Sequence, residues 1–220
     1  MPLETLEGQT GPDPKATIIV LHGLGADGND FVPIAQQMDL SAVGPVRYVF
    51  PSAPVRPVTI NNGYRMRAWY DILGMDLVRR EDEAGLRESQ AEIEALIARE
   101  VERGVPANRI ILMGFSQGCA MTLMTGLRHG ERLAGLVCLS GYLPLLDKTE
   151  AERHTANADV PIFMAHGTQD PVVVIARAHD SRAKLEALGY AIEWHDYAMP
   201  HSVSPEEIDD LQAWLVKQLA

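Results

Sequence analysis

Ile110-Ile111-Leu112-Met113-Gly114-Phe115-Ser116-Gln117-Gly118 is the stretch on which the reading of this chain turns. The apolar run at its start suits a strand buried on both faces, and Cys119 to Leu127, which follows, reads as helix. Between them stands G-x-S-x-G. A strand-to-helix turn this sharp leaves no room for side chains beside the serine, so Gly114 and Gly118 are expected to flank it and Ser116 to stand out at the strand tip. The amide of Gln117, at a helix N-terminus, then points toward where negative charge would develop on an attacked carbonyl. The plainer alternative is a structural turn without chemistry, and the rest of the chain bears on the choice.

Outward from this turn, short apolar runs alternate with longer helical patterns, as in a mostly parallel sheet covered by helices on both faces. The expected strands are Ala16 to Leu21, Val46 to Phe50, Arg109 to Met113, Leu136 to Leu139, Pro161 to Ala165 and Ala191 to Tyr197, the last an edge because Glu193, His195 and Asp196 interrupt it. Helices are expected near Asn29 to Met38, Leu86 to Arg103, Cys119 to Arg128, Val172 to Leu188 and Pro205 to Leu219. Ile93, Leu96, Ile97 and Val101 fall on one helical face, and Ser204-Pro205-Glu206-Glu207 marks a helix start with a cap serine and a glutamate at the third position. The segment Pro51 to Gly85 carries glycines and prolines yet holds Trp69, Tyr70, Ile72, Leu73 and Met75. Such a loop is either a satellite core or the wall of an apolar pocket.

At 220 residues, 46% hydrophobic and 22% charged, the chain suits one globular domain spanning 1–220. No repeat or low-complexity segment interrupts it. Met1 to Lys15 is acidic and lacks a long apolar stretch, and no run approaches membrane-spanning length, so a cytoplasmic location is expected. A net charge of -11 argues against nucleic acid or an anionic membrane as the main partner. Cys119 and Cys138 read as two buried thiols, and without C-x-x-C or H-E-x-x-H no metal site is expected. Oligomeric state is not legible.

A serine hydroxyl needs an imidazole to take its proton and a carboxylate to orient that imidazole. Two loops after later strands supply candidates: His166-Gly167-Thr168-Gln169-Asp170-Pro171 and Ala198-Met199-Pro200-His201-Ser202. Both follow carboxyl ends of strands, where ligands bind in open sheets. Asp170 before Pro171 is also a good helix cap, and the two roles are compatible. Asp147, Asp159, Asp180 and Asp196 lie in helical, loop or mid-strand positions. His201, on a loop able to reach back over the sheet, is preferred to His195, which is fixed within a strand; His129, His154 and His179 read as surface residues. A second oxyanion amide is expected from His22-Gly23-Leu24-Gly25, with that of Leu24 as the candidate. Gly23, Gly25 and Gly28 also spell G-x-G-x-x-G, the mark of a dinucleotide-binding oxidoreductase. Against that stand Asp27 and the lack of an acidic residue closing the next strand.

Taken together, Leu21 to Gly28, Ala68-Trp69-Tyr70-Asp71, Gly114 to Gly118, His166 to Val173 and Pro200-His201 resemble, in order and spacing, the motifs of the small carboxylesterase and acyl-protein thioesterase family of α/β-hydrolases. The resemblance covers nearly the whole chain and implies the α/β-hydrolase fold. It implies Ser116, Asp170 and His201 as a catalytic triad, Leu24 and Gln117 amides as oxyanion donors, and the loop from Leu73 to Met75 as an acyl-binding wall. Leu73, Met75 and Trp69 are accordingly the expected substrate contacts. The expected reaction is hydrolysis of carboxylic esters with short to medium acyl chains, without a cofactor. Acyl-protein thioesterase or lysophospholipase activity at the same site is the alternative, so the expected partners are a small ester or thioester, an acylated protein or a lysophospholipid.

Overall fold

The structure, a computed structural model, describes residues 3–74 and 81–220. Its centre is a seven-stranded sheet in the order β1-β3-β2-β6-β7-β8-β9. These are β1 (Glu4–Gln9), β2 (Ala16–Leu21), β3 (Val46–Ser52), β6 (Ile110–Phe115), β7 (Gly135–Leu139), β8 (Ile162–Gly167) and β9 (Ile192–Tyr197). A separate antiparallel hairpin pairs β4 (Val55–Val58) with β5 (Tyr64–Arg67). Every pairing in the large sheet is parallel except that of β1 with β3.

The sheet is covered on both faces because its strands are apolar on both. Ile19, Leu21 and Leu112 join one core with Ile93, Ile97, Leu123 and Leu185, from helices α2 (Glu83–Glu102), α3 (Gln117–Gly126) and α5 (Ile175–Ala187). Ile18, Val20 and Met113 join the other with Leu211, Trp214 and Leu215 of α6 (Pro205–Leu219), against which α1 (Val32–Gln37) also packs. Successive strand residues thus alternate between the two cores, as the pleat requires. The strands and helices expected from the sequence are present, as is the capping box: Ser204 Oγ accepts from the Glu207 amide at 3.1 Å, and Glu207 accepts from the Ser204 amide at 3.4 Å. Cys119 and Cys138 are free and buried, and burial raises the Cys138 thiol well above its ordinary range. Among the described residues no helix is long and apolar enough to cross a membrane.

Some boundaries and elements differ. α5 begins at Ile175, not Val172, because the Asp170 carboxylate holds the amides of Val172 and Val173 in a turn of their own. Asp170 therefore caps that turn and not the helix, whose cap position is Val174. β1, unforeseen, is a polar strand that pairs with the free edge of β3 and is tied down by Glu7 to Arg99 and Arg103. Short α4 (Leu146–Glu152) was also not legible, since it has too few apolar residues to show a period. Within Pro51 to Gly85, the hairpin is followed by buried Trp69 and Tyr70.

Candidate active site

The turn after β6 is built around close backbone approach. A Cβ on Gly114 would lie 2.2 Å from the carbonyl oxygen of Gly118, and one on Gly118 would lie 2.0 Å from that of Leu21. No side chain fits at either position. Ser116 between them takes φ 56° and ψ -115°, a conformation that costs free energy for a residue with a side chain and persists only where its surroundings enforce it. Its amide donates to Leu139 O at 2.9 Å, and its carbonyl accepts from Ala120, so the strained residue is held by the next strand on one side and α3 on the other.

Beside it, the loops after β8 and β9 are fastened together. Thr168 donates its amide to Tyr197 O and Gln169 to Met199 O, while Gly167 lies so close to Met199 and Pro200 that a Cβ would meet their carbonyl oxygens at 2.4 and 2.5 Å. This junction brings His201 over the sheet. His201 Nε2 lies 2.8 Å from Ser116 Oγ, and His201 Nδ1 lies 2.6 Å from Asp170 Oδ2. The other oxygen of Asp170 accepts from the amides of Val172 and Val173 at 2.8 and 2.9 Å. The fully buried carboxylate is thus fixed in direction, with one oxygen left for the imidazole. Phe115 flanks the His201 ring at 4.8 Å between centroids. Ser116, His201 and Asp170, from three segments far apart in sequence, form one hydrogen-bonded chain.

His195 is elsewhere. Its ring stacks with Phe163 and Tyr197, and its nitrogens face Glu193 at 3.3 Å and Asp210 at 3.4 Å. His166, by contrast, is buried beneath the acid loop, donates Nε2–H to Val173 O at 2.8 Å and lies 3.4 Å from Asp170 Oδ2. Desolvation lowers its pKa and keeps the ring neutral, so it supports the loop without adding charge.

The loop after β2 closes the opposite side. Gly23 packs against Phe115 and Ser116, and Leu24 reaches the same cavity as Ser116 and Gln117. His22 orders this loop: Nε2 accepts from the Ala53 amide at 2.9 Å, which leaves the proton on Nδ1 to donate to Gly23 O at 2.7 Å. Burial lowers the His22 pKa, in keeping with that neutral tautomer. The amide of Gln117, first in α3, has no intrahelical acceptor and is free to serve an oxyanion. Its side chain accepts from the Trp69 amide and donates to Tyr70 O, both at 2.8 Å, joining the turn to the loop that follows the hairpin. The G-x-G-x-x-G spelling has no helix at its end, because α1 starts only at Val32, and Asp27 accepts instead from Asn29. A pyrophosphate would find no helix N-terminus there.

A cavity of about 200 Å³ opens onto Ser116, walled by Leu24, Ile60, Tyr70, Ile72, Tyr142, Val172 to Val174 and Arg177. Trp69, expected to touch substrate, is wholly buried: its indole N–H donates to His22 O at 2.9 Å and holds the loop of Leu24 from below. Leu73 is 41% exposed and is not part of the wall, which its neighbours Ile72 and Gly74 supply. Met75 lies outside the described residues. The roles of Ile60, Tyr142 and Val172 to Val174 were not read from the sequence. The three consecutive valines after Asp170 carried a signal, since an apolar run ahead of a charged helix needs something to cover it.

Known proteins share this arrangement of chain. A family model described as phospholipase/carboxylesterase matches residues 9–219. The acyl-protein thioesterase 1 of Yarrowia lipolytica is 41% identical over 209 residues, covering 93% of this chain and 92% of the relative. That of Gibberella zeae is 41% identical over 219 residues, covering 93% and 91%. Among solved structures, Arabidopsis thaliana SOBER1 superimposes with a TM-score of 0.88 at 31% identity, covering 93% of this chain and 99% of that one. Zea mays acyl-protein thioesterase 2 does so with a TM-score of 0.82 at 28% identity, covering 98% and 99%. A match this continuous, over a sheet that ends in a strained serine turn, makes the chain a serine hydrolase with the α/β-hydrolase fold, and it belongs to the phospholipase/carboxylesterase family.

Proposed function

We propose that Ser116, His201 and Asp170 are the catalytic triad of an enzyme that transfers acyl groups from carboxylic esters and thioesters to water. The observation that carries this reading is the continuous chain of 2.8 and 2.6 Å contacts from Ser116 Oγ through His201 to Asp170. His201 Nε2 takes the hydroxyl proton as Ser116 Oγ attacks the carbonyl carbon, and the Asp170 carboxylate stabilises the imidazolium that forms. The tetrahedral oxyanion rests on the amides of Leu24 and Gln117. His201 then protonates the leaving alcohol or thiol, the acyl-serine remains, and water activated by the same imidazole releases the acid. No step calls on a cofactor.

The acyl chain lies in the apolar cavity beside Ser116, where each buried methylene contributes up to ~0.8 kcal/mol of binding until the wall ends. Specificity therefore climbs over short and medium chains and then flattens. Similarity to proteins named acyl-protein thioesterase supports thioesters, including those of acylated proteins, as a second substrate class on the same machinery. Labelling with a fluorophosphonate, followed by peptide mapping, tests the nucleophile: modification at Ser116 is expected, and modification of another serine overturns the reading. Rates on acetate, butyrate and octanoate esters, beside an S-acylated peptide, order the substrate classes.

A further inference from the structure

The cavity beside Ser116 is mostly apolar, and Arg177 is the one charged residue among its described lining. Arg177, in the first turn of α5, places its guanidinium carbon 3.6 Å from the centre of the Tyr142 ring. The Tyr142 hydroxyl in turn shares a 2.8 Å hydrogen bond with that of Tyr70, and all three residues line the cavity with Ser116. Other arginines near carboxylates in this acidic chain are paired with them: Arg47 with Glu100, Arg87 with Glu83 and Glu152, Arg128 with Glu152. Among the described residues no carboxylate forms an ion pair with Arg177. Glu81, whose charge also reaches Tyr70, accepts from the Leu145 amide. Stacking on a tyrosine uses the face of a guanidinium and leaves its N–H edge for an acceptor in the guanidinium plane. Here that group is half-buried, stacked on its ring and, among the described residues, without an ion-paired carboxylate, in the lining of the cavity that holds Ser116.

We propose that Arg177 is an anion-binding subsite of the acyl-transfer cavity, selecting esters or thioesters that carry a carboxylate remote from the scissile carbonyl. The inference rests on Ser116 being the nucleophile. A carboxylate suits it because the planar fork of arginine matches carboxylate geometry, and because the low-dielectric wall strengthens a charge-assisted bond. The carboxylate comes either from the acyl group, as in the half-ester of a dicarboxylic acid, or from the leaving group, as in an acidic thiol.

Two matched substrate pairs separate these sources. 4-Nitrophenyl butyrate against 4-nitrophenyl hemisuccinate puts the charge on the acyl side; the butyryl thioesters of ethanethiol and of 3-mercaptopropionate put it on the leaving group. The readout is the ratio of kcat/KM for the anionic member to that for the neutral one, in wild type and in Arg177→Gln, Arg177→Lys and Arg177→Glu, with thermal melts showing each variant folded. For at least one pair the ratio is expected to fall about tenfold to a hundredfold in Arg177→Gln, the equivalent of one charge-assisted hydrogen bond. It should fall further in Arg177→Glu and be largely kept in Arg177→Lys. Ratios unchanged within about twofold in both pairs, including the case where both members slow equally, mean that Arg177 only packs on Tyr142, and they overturn the proposal while leaving the Ser116 reading intact. Wild-type protein inactive on all four compounds overturns the Ser116 reading and this one with it.

Discussion

Two of the buried carboxylates among the described residues, Glu100 and Asp170, differ in what faces them. Glu100, near the amino ends of β2 and β3, is wrapped by Arg47 at 2.7 Å, Arg103 at 2.8 Å, Arg99 at 3.3 Å and the Thr17 hydroxyl at 3.1 Å. Asp170, at the carboxyl ends, faces two backbone amides and a histidine. The cations around Glu100 never titrate in water, so that cluster holds one state and ties α2 to the sheet and, through Glu7, to β1. An imidazole can gain and lose a proton near neutrality, so the Asp170 cluster is suited to move one. Burial of a carboxylate is thus common to both ends of the sheet, and the partner's chemistry separates a fastening from the proposed reactive centre.

Replacing one group at each end should break the comparison open, with the largest effects at the carboxyl edge. Ser116→Ala is expected to lower ester turnover by about four to six orders of magnitude with an unchanged melt, since triad members act as a unit. Retention of most of the rate would sink the proposed nucleophile. His201→Ala should approach that loss and His195→Ala should keep most activity; steady-state kinetics on one ester compares all three. Asp170→Asn keeps an acceptor for Val172 and Val173 but cannot support an imidazolium, so it is expected to cost roughly four orders of magnitude in kcat and little stability.

The opposite pattern is expected at Glu100. Glu100→Gln leaves Arg47 buried without its counter-charge and should lower unfolding free energy by about 3–5 kcal/mol, while kcat of the folded fraction stays near wild type. Urea titrations beside kinetics at a permissive temperature check both halves. A loss of rate without loss of stability would erase the distinction between the two ends.

The smallest effect concerns a third buried acid. Glu207, in the capping box of α6, has its pKa raised by burial from 4.5 to about 7. A carboxyl raised in the folded state binds more protons there than in the unfolded chain, so its contribution to stability is whole below the unfolded value and is lost as pH rises through about 7. Glu207→Gln, which cannot ionise, should therefore gain stability relative to wild type between pH 4.5 and about 7 and hold that gain above it. Melts at pH 5 and pH 8 measure the difference; equal shifts at both would show that Glu207 titrates normally.

What the sequence determined by itself was whatever depends on near neighbours. The apolar run before Gly114 and the two glycines specify the turn at Ser116, because their fit depends on backbone only a few residues or one strand away. Ser204 and Glu207 mark the start of α6 for the same reason. Tertiary structure decided the rest. Glu4–Gln9 is a strand because β3 offers it an unpaired edge, which polar residues of no clear period cannot announce. Trp69 reads like a substrate contact, but the backbone carbonyl of His22 captures its N–H and turns it inward. Asp170 reads as an acid that also caps a helix, and the fold keeps its bond to the imidazole 31 residues away but gives the cap position of the helix to Val174. The cavity wall is assembled from the segments around Leu24, Ile60, Ile72, Tyr142 and Val173, whose proximity is a property of the folded chain alone. Local chemistry is written in order along the backbone; a pocket and the side chains that face it exist only once distant segments pack.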